Sequence, residues 1–415
     1  MWSKLRKFGL DHCDLPTMVE NSSELLRVLS LNLDPSYDKK IPKLFNIFTI
    51  VIFLCYVYVC VVSMLWYVFW RCVETGDVIS AMVIFSLGIC SEISTVKFVY
   101  TFLYQKSLRN LIRDYLSYDS KAAPNSRFKI NVLKVLRQVK KRAIIFWSIV
   151  VGDSLIYWIK PLLMPGRHLI EDTEYLYGLE PLFESPNFEI AYFVSLCASM
   201  FTVYATANIS VFLITVTGYI EAQMLALGEE LLNIWDDAQD YYEKYDVIEH
   251  KFEDNNENAK DKHIITNRYV KNQLRTIVDK HTSNIRFLSQ IENVFRSSIA
   301  IEFGLLMISL IAEFLGGIEN TYLLIPFALV QVTMDCITGQ KLLDSSKVFQ
   351  RAVFESKWEN FDLDNMKTVL IILVNSQRDM ALTVGGLKTL SLLCLMDVFR
   401  KIYSTYAALS TMVHS

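Results

Sequence analysis

The chain has 415 residues, 52% of them apolar and 13% aromatic, with a formal net charge of −3. Charged residues make up 20%, below the roughly 25% of soluble domains, which is too little to cover a soluble surface of this size. The near-neutral balance, with no basic block, excludes an electrostatic nucleic-acid binder.

Residues 1–46 carry Lys, Arg, Asp and Glu throughout and lack an apolar core of leader-peptide length, so no cleavable signal is expected. Seven later stretches reach the ~20 residues needed to cross a bilayer core. The first, Ile47 to Trp70, serves as its own insertion signal. Val78 to Leu103 is interrupted by Glu92 and Lys97, and Ala143 to Leu163 contains Asp153 and Lys160. Ile190 to Thr217 holds no formal charge; Val294 to Ile318 and Tyr322 to Leu343 follow. The seventh is split: Met366 to Val374, then Gln377, Arg378 and Asp379, then a long helix from Val384 to Val413. All are expected to be helices, because an open sheet leaves its backbone unsatisfied in lipid. The fold class is therefore an all-α membrane protein with seven transmembrane helices.

Lys and Arg crowd the segment before the first span, the loop after the second and the linker after the fourth, while the alternate loops offer only Arg71 and Arg167. That asymmetry puts the N-terminus in the cytosol and, after seven spans, the C-terminus outside. Arg127 to Lys141 and Tyr219 to Tyr242 read as helical extensions of the third and fourth spans into the cytosol, against the plainer reading of solvated linkers. Glu249 to Lys262 has almost no apolar residue and reads as a mobile loop, with helical pattern resuming over Ile264 to Phe295.

Ionisable groups inside spans are costly and so are functional candidates, although each of Glu92, Lys97, Asp153, Glu302, Glu313 and Asp335 could equally bond a neighbouring helix. Glu92 and Lys97, five apart, are poorly placed as a same-face pair and are expected to face different neighbours. All six histidines lie outside the spans, and HExxH, GxSxG and Gly-rich phosphate motifs are missing, which disfavours an enzyme and any metal or cofactor. The eight cysteines show no CxxC spacing, and only Cys72 falls near an outer loop, so an extracellular disulfide has no partner there. In the last helix, Asp397, Lys401, Ser404, Ala408 and Thr411 recur at helical spacing on one face. Such a stripe lines a water path or, alternatively, glues a helix interface. The adjacent Thr405, Leu409 and Met412 could narrow its outer end by dewetting. The outer halves of spans two, three, four and six carry Phe85, Tyr157, Trp158, Phe193, Phe201, Tyr204, Tyr322 and Phe327, with Gly88, Ser154 and Thr202 among them. These form an apolar ligand cavity with a few hydroxyls, or else ordinary helix packing and an interfacial aromatic belt.

Three stretches resemble the insect odorant receptors, and the moth pheromone-receptor branch in particular. They are CDLPTMVENSSELLRVLSLNLD (Cys13 to Asp34), YGLEPLFESPNFEIAYF (Tyr177 to Phe193) and the C-terminal run from Trp358 to Leu409. The resemblance implies a ligand-gated, non-selective cation channel subunit in the plasma membrane of a sensory dendrite, forming a heterotetramer with the common odorant coreceptor. It implies a lipophilic volatile as ligand, a long-chain alcohol, aldehyde or acetate. Under it, residues 1–46 are the cytosolic N-terminal segment, 47–217 the ligand-binding helices and 218–293 the cytosolic extensions that touch other subunits. Residues 294–345 are helices five and six, 346–383 the re-entry, and 384–415 the pore-lining helix with a short extracellular tail. Matching the family's Thr-Tyr pair onto Thr405 and Tyr406 puts the hydrophobic gate on Leu409, with Ser410 the alternative. The charges at Asp397 and Lys401 depart from the coreceptor's apolar helix. Rival readings are a G-protein-coupled receptor, which needs the opposite orientation, and a gustatory-type channel, which differs in ligand.

Overall fold

The computed structural model describes residues 7–35, 41–170, 175–249 and 257–413. Helix α1, Leu15–Val28, starts where Asp14 accepts the Thr17 amide at 3.0 Å and buries Leu15, Met18, Val19 and Leu26. Helix α2, Lys43–Thr75, is the first long apolar helix, and it winds as a π-helix over Val57–Ser63 and Tyr67–Arg71. Gly76, at φ 72°, ends it in the left-handed conformation that glycine adopts without a Cβ penalty. Asp77 then caps α3, Val78–Leu103, by accepting the Ser80 amide at 3.1 Å. The amphipathic α4, Gln105–Asp119, follows.

Helices α5, Arg127–Leu163, and α6, Asn187–Leu232, run beyond their apolar spans; the extension expected to reach Tyr242 breaks at Asn233, after which a separate helix begins. At 1.5 Å per residue α6 is roughly 70 Å long. Short α7, Ile234–Glu249, turns back onto α8, Glu257–Leu315, and α9, Leu324–Phe354, and α10, Leu363–Ser376, follow. Of the mobile loop expected over Glu249 to Lys262, residues 250–256 lie outside the described residues, whereas 257–262 are helical and open α8, which corrects that part of the expectation. Ion pairs knit the extensions: Arg127 holds Glu230 at 2.9 Å and Asp237 at 2.5 Å, Lys129 holds Asp119 at 2.6 Å, and Arg142 meets Glu221.

Helix α6 is the axis, touching α1, α2, α3, α5, α8 and α9. Its most apolar 18 residues are 72% buried, against 22% for those of α5, so α6 is core and α5 peripheral. Apolar composition alone does not set this, since α2 is more apolar and only 33% buried. Gly218 allows the close approach of α5, because a Cβ there would run into Val139. The outward faces of α2 and α5, with Ile47, Ile50, Leu54, Ile149, Ile156 and Ile159 exposed, suit lipid rather than water.

Five described helices are long and apolar enough to cross a membrane by length and composition: Lys43–Thr75, Val78–Leu103, Arg127–Leu163, Asn187–Leu232 and Lys262–Leu315. Helices α9 and α11, Leu392–Val413, complete the seven, and they carry the polar residues Gln331, Asp335, Asp397 and Lys401 that lower their hydropathy. The expected helix from Val384 is corrected. Residues 383–389 form a two-stranded hairpin, Thr383–Val384 against Lys388–Thr389, and the helix begins at Leu392. Gly385 and Gly386 sit at φ 65° and 77°, and the Glu292 carboxylate takes the Thr383 amide at 3.1 Å as well as its hydroxyl. Those contacts satisfy the backbone without a helix. The re-entry also begins later than residue 346, since α9 continues to Phe354 on the buried residues Phe349, Ala352 and Val353.

Candidate functional site

At the end of the bundle away from α1, a cavity of about 80 Å³ opens between α2, α3, α5, α6 and the start of α9. Val59, Cys60 and Met64 reach it from α2, where the N–H of Met64 bonds the Val59 carbonyl five residues back. The wider π winding alters the helical phase there. Leu87, Cys90 and Ser91 come from α3; Asp153, Ser154 and Tyr157 from α5; Ser195, Ala198, Ser199, Thr202 and Val203 from α6. Leu324 and Phe327 close one side, and Ile170 and Tyr175 cover the top from the α5–α6 connection. Most of the wall is apolar, with hydroxyls spaced along it and one carboxyl, Asp153.

Of the residues picked out in the sequence, Ser154, Tyr157, Thr202 and Phe327 meet in this wall. Gly88 lies one layer behind, where a Cβ would come within 3.3 Å of Met64 Sδ, so the glycine keeps α2 and α3 close. The others are placed elsewhere. Phe201 is buried among Phe53, Tyr56 and Phe98, with ring centroids 5.2–5.6 Å away. Tyr204 turns toward α1 and donates to the Leu25 carbonyl at 2.9 Å. Phe85 and Trp158 are half-buried outside the wall, Phe193 is 62% exposed, and the Tyr322 ring holds Lys160 Nζ at 5.2 Å. The reason is helical phase. On α6 the inward positions are 195, 198, 199 and 202, and residues 201 and 204 are rotated away. Ser195, Ser199 and Thr202, spaced four and three apart in an otherwise apolar span, were the signal that choosing aromatics overlooked. No comparable signal marked Tyr175, in the connection, or Val59 and Cys60 on α2.

In α11, Cys394, Leu395, Val398 and Ile402 are buried, and the helix packs on α8 and α9. Beyond Ile402 it has little cover: Tyr403, Ser404, Thr405, Ala407, Ala408, Leu409 and Thr411 are exposed, while the Tyr406 ring lies 5.7 Å from that of Phe314. Asp397 pairs with Lys388 of the hairpin, and Lys401 is exposed. The side chain of Met412 lies outside the described residues.

Near the middle of the bundle, Lys97 Nζ lies 2.6 Å from Glu302 Oε1 and donates to Ser210 Oγ at 2.7 Å, with Asp335 alongside. All four are buried. Glu92 and Lys97 thus face different neighbours, and Glu302 and Asp335 supply charge for Lys97 across α3, α8 and α9. Glu313 accepts from Ser309 at 2.8 Å within its own helix. Asp153 has no hydrogen bond or ion pair among the described residues.

The sequence profile of the 7tm odorant receptor family matches residues 74–403. The chain belongs to the odorant receptor family. Among curated relatives, the putative odorant receptor 85d of Drosophila melanogaster is 29% identical over 149 residues, which is 34% of this chain and 36% of that receptor. Odorant receptor 30a of the same fly is 36% identical over 58 residues, 14% of this chain and 15% of that receptor. This chain therefore spans little more than a third of the relative it matches at greater length. The fold is that of the insect olfactory receptor OR5 from Machilis hrabei, with TM-score 0.76, 14% identity, and coverage of 95% of this chain and 98% of that one. The structure of the same receptor in complex with eugenol superposes at TM-score 0.73 with 14% identity, covering 96% of this chain and 100% of that one.

Proposed function

We propose that this receptor is a subunit of an odorant-gated, non-selective cation channel, working as a heterotetramer with the common odorant coreceptor in the plasma membrane of a sensory dendrite. Its N-terminus is cytosolic and its C-terminus extracellular, as the concentration of Lys and Arg in alternate loops requires. The observation that carries the proposal is the pairing of an apolar cavity at one end of the bundle with a last helix left bare along its distal half. The likeness to a receptor solved with eugenol supports the cavity as the ligand site.

The ligand is a long-chain lipophilic volatile of the pheromone type, held by Ser154, Tyr157, Thr202 and Phe327 with Gly88 behind them. Each methylene moved from water into the cavity contributes roughly 0.8 kcal/mol, so one polar contact suffices for high affinity. A ligand that fits the open arrangement better than the closed one shifts the population toward it. In the assembly, Asp397, Lys401, Ser404, Thr405 and Ala408 border the cation path. Leu409 and Met412 narrow its outer end. Coexpression with the coreceptor should give inward current on exposure to long-chain volatiles. Silence across a broad panel, with both subunits at the surface, would count against the proposal.

A further inference from the structure

Four hydroxyl groups around the cavity have already spent their protons. Ser154 Oγ donates to the Val150 carbonyl at 2.8 Å, Thr202 Oγ1 to Ala198 at 3.2 Å, Ser199 Oγ to Leu196 at 3.0 Å and Ser91 Oγ to Gly88 at 2.7 Å. Each of these bonds closes back on the helix that carries it, so the capacity left to each hydroxyl is as an acceptor. Tyr175 and Ser195 share a bond at 3.1 Å, which uses one more proton. Tyr157 also lines the cavity, and beside these hydroxyls stands the Asp153 carboxyl, which has no hydrogen bond or ion pair among the described residues. A carboxyl retains acceptor sites whether or not it is protonated.

The wall therefore offers more acceptors than donors. Against the ionised carboxyl an aldehyde or acetate brings acceptors alone and leaves Asp153 without a donor, so the cost of desolvating that group is not recovered. A hydroxyl supplies the missing proton and suits either state of the carboxyl. Sites built to hydrogen-bond a ligand hydroxyl reject analogues that lack it far more strongly than apolar walls reject a methylene.

We propose that this cavity selects ligands whose polar end is a hydroxyl, and that Asp153 is the acceptor that makes the selection. The proposal rests on the reading of the cavity as the odorant site. The alkyl chain lies against Val59, Met64, Leu87, Leu324 and Phe327.

One alkyl chain presented as alcohol, aldehyde, acetate and primary amine tests this on cells coexpressing the receptor and coreceptor. The alcohol should act at concentrations about ten-fold lower than the aldehyde or acetate. Asp153→Leu should bring the alcohol and the two carbonyl compounds within about two-fold of one another, and Asp153→Asn, whose amide N–H groups can serve a carbonyl, should narrow the preference as well. An acetate as potent as the alcohol on the wild type overturns the proposal. So does an unchanged preference in Asp153→Leu at equal surface expression, and an amine more potent than the alcohol overturns the hydroxyl assignment. If the leucine variant stays inside the cell, the asparagine variant decides, and an unchanged preference in it overturns the assignment to Asp153. If nothing evokes current, the channel reading fails separately, and displacement of a fluorescent long-chain alcohol from the purified receptor decides the head group. Displacement by unlabelled alcohol at ten-fold lower concentration than by acetate supports the proposal; equal displacement overturns it.

Discussion

Lys97, Glu302 and Asp335 form a buried set with one cation and two carboxyls, joined to Ser210. Removing one member of a buried pair leaves an uncompensated charge, which costs about 3–5 kcal/mol. Lys97→Met should therefore lower the melting temperature in detergent and cut surface expression sharply. The double change Lys97→Met with Glu302→Gln should recover part of that loss; a double variant worse than the single one would mean that the pair does not act as a unit. At this scale the sequence was only half legible. The costly residues were visible as charges in apolar runs, but partner choice was not, because Lys97 and Glu302 lie more than two hundred residues apart.

Helix ends and turns explain most departures from the expected elements. Gly385 and Gly386 look like minor interruptions in an apolar run, yet their positive φ values and the grip of Glu292 on Thr383 produce a hairpin where a helix was expected. Gly386→Ala forces a side chain into a left-handed conformation and should reduce stability by about 1 kcal/mol, read as a lower melting temperature. At the other end of the bundle Asp77 caps α3, and the Ser80 hydroxyl and amide hold its carboxyl below the usual range. A carboxyl whose pKa is depressed on folding stabilises above its unfolded value and loses that contribution as pH falls through its folded one. Asp77→Ala should cost about 1 kcal/mol near neutral pH, with the deficit shrinking in acid. A deficit independent of pH would rule out the charge as its source. For the last helix, the polar stripe from Asp397 to Thr411 was readable, whereas the buried stripe of Cys394, Val398 and Ile402 came from the structure. Whether the exposed stripe meets water or another subunit was not legible, since one chain does not carry its neighbours. Leu409→Ala should raise ligand-independent current if that position closes the outer end, and an unchanged baseline with a raised one in Ser410→Ala would move the constriction by one residue.

For the whole molecule, composition and loop charge were enough to expect a seven-helix bundle with long extensions, because lipid leaves so few alternatives to helices. The cavity was legible only in part. Ser154, Tyr157, Thr202 and Phe327 were found, but large aromatics were favoured over the small hydroxyl residues that point inward. Aromatic side chains serve packing and interfaces as readily as ligands, so residue type alone does not place them; the angle around the helix does. The central claim is that a ligand in the cavity opens a water path beside the last helix. The most direct measurement is modification of Ser404→Cys by a small, positively charged, membrane-impermeant thiol reagent during recording from the coexpressed channel. The account predicts rapid, irreversible loss of current when the reagent arrives with the ligand and slow loss without it. Full ligand-evoked current after prolonged exposure to both, with labelling of the introduced thiol confirmed chemically, would contradict it.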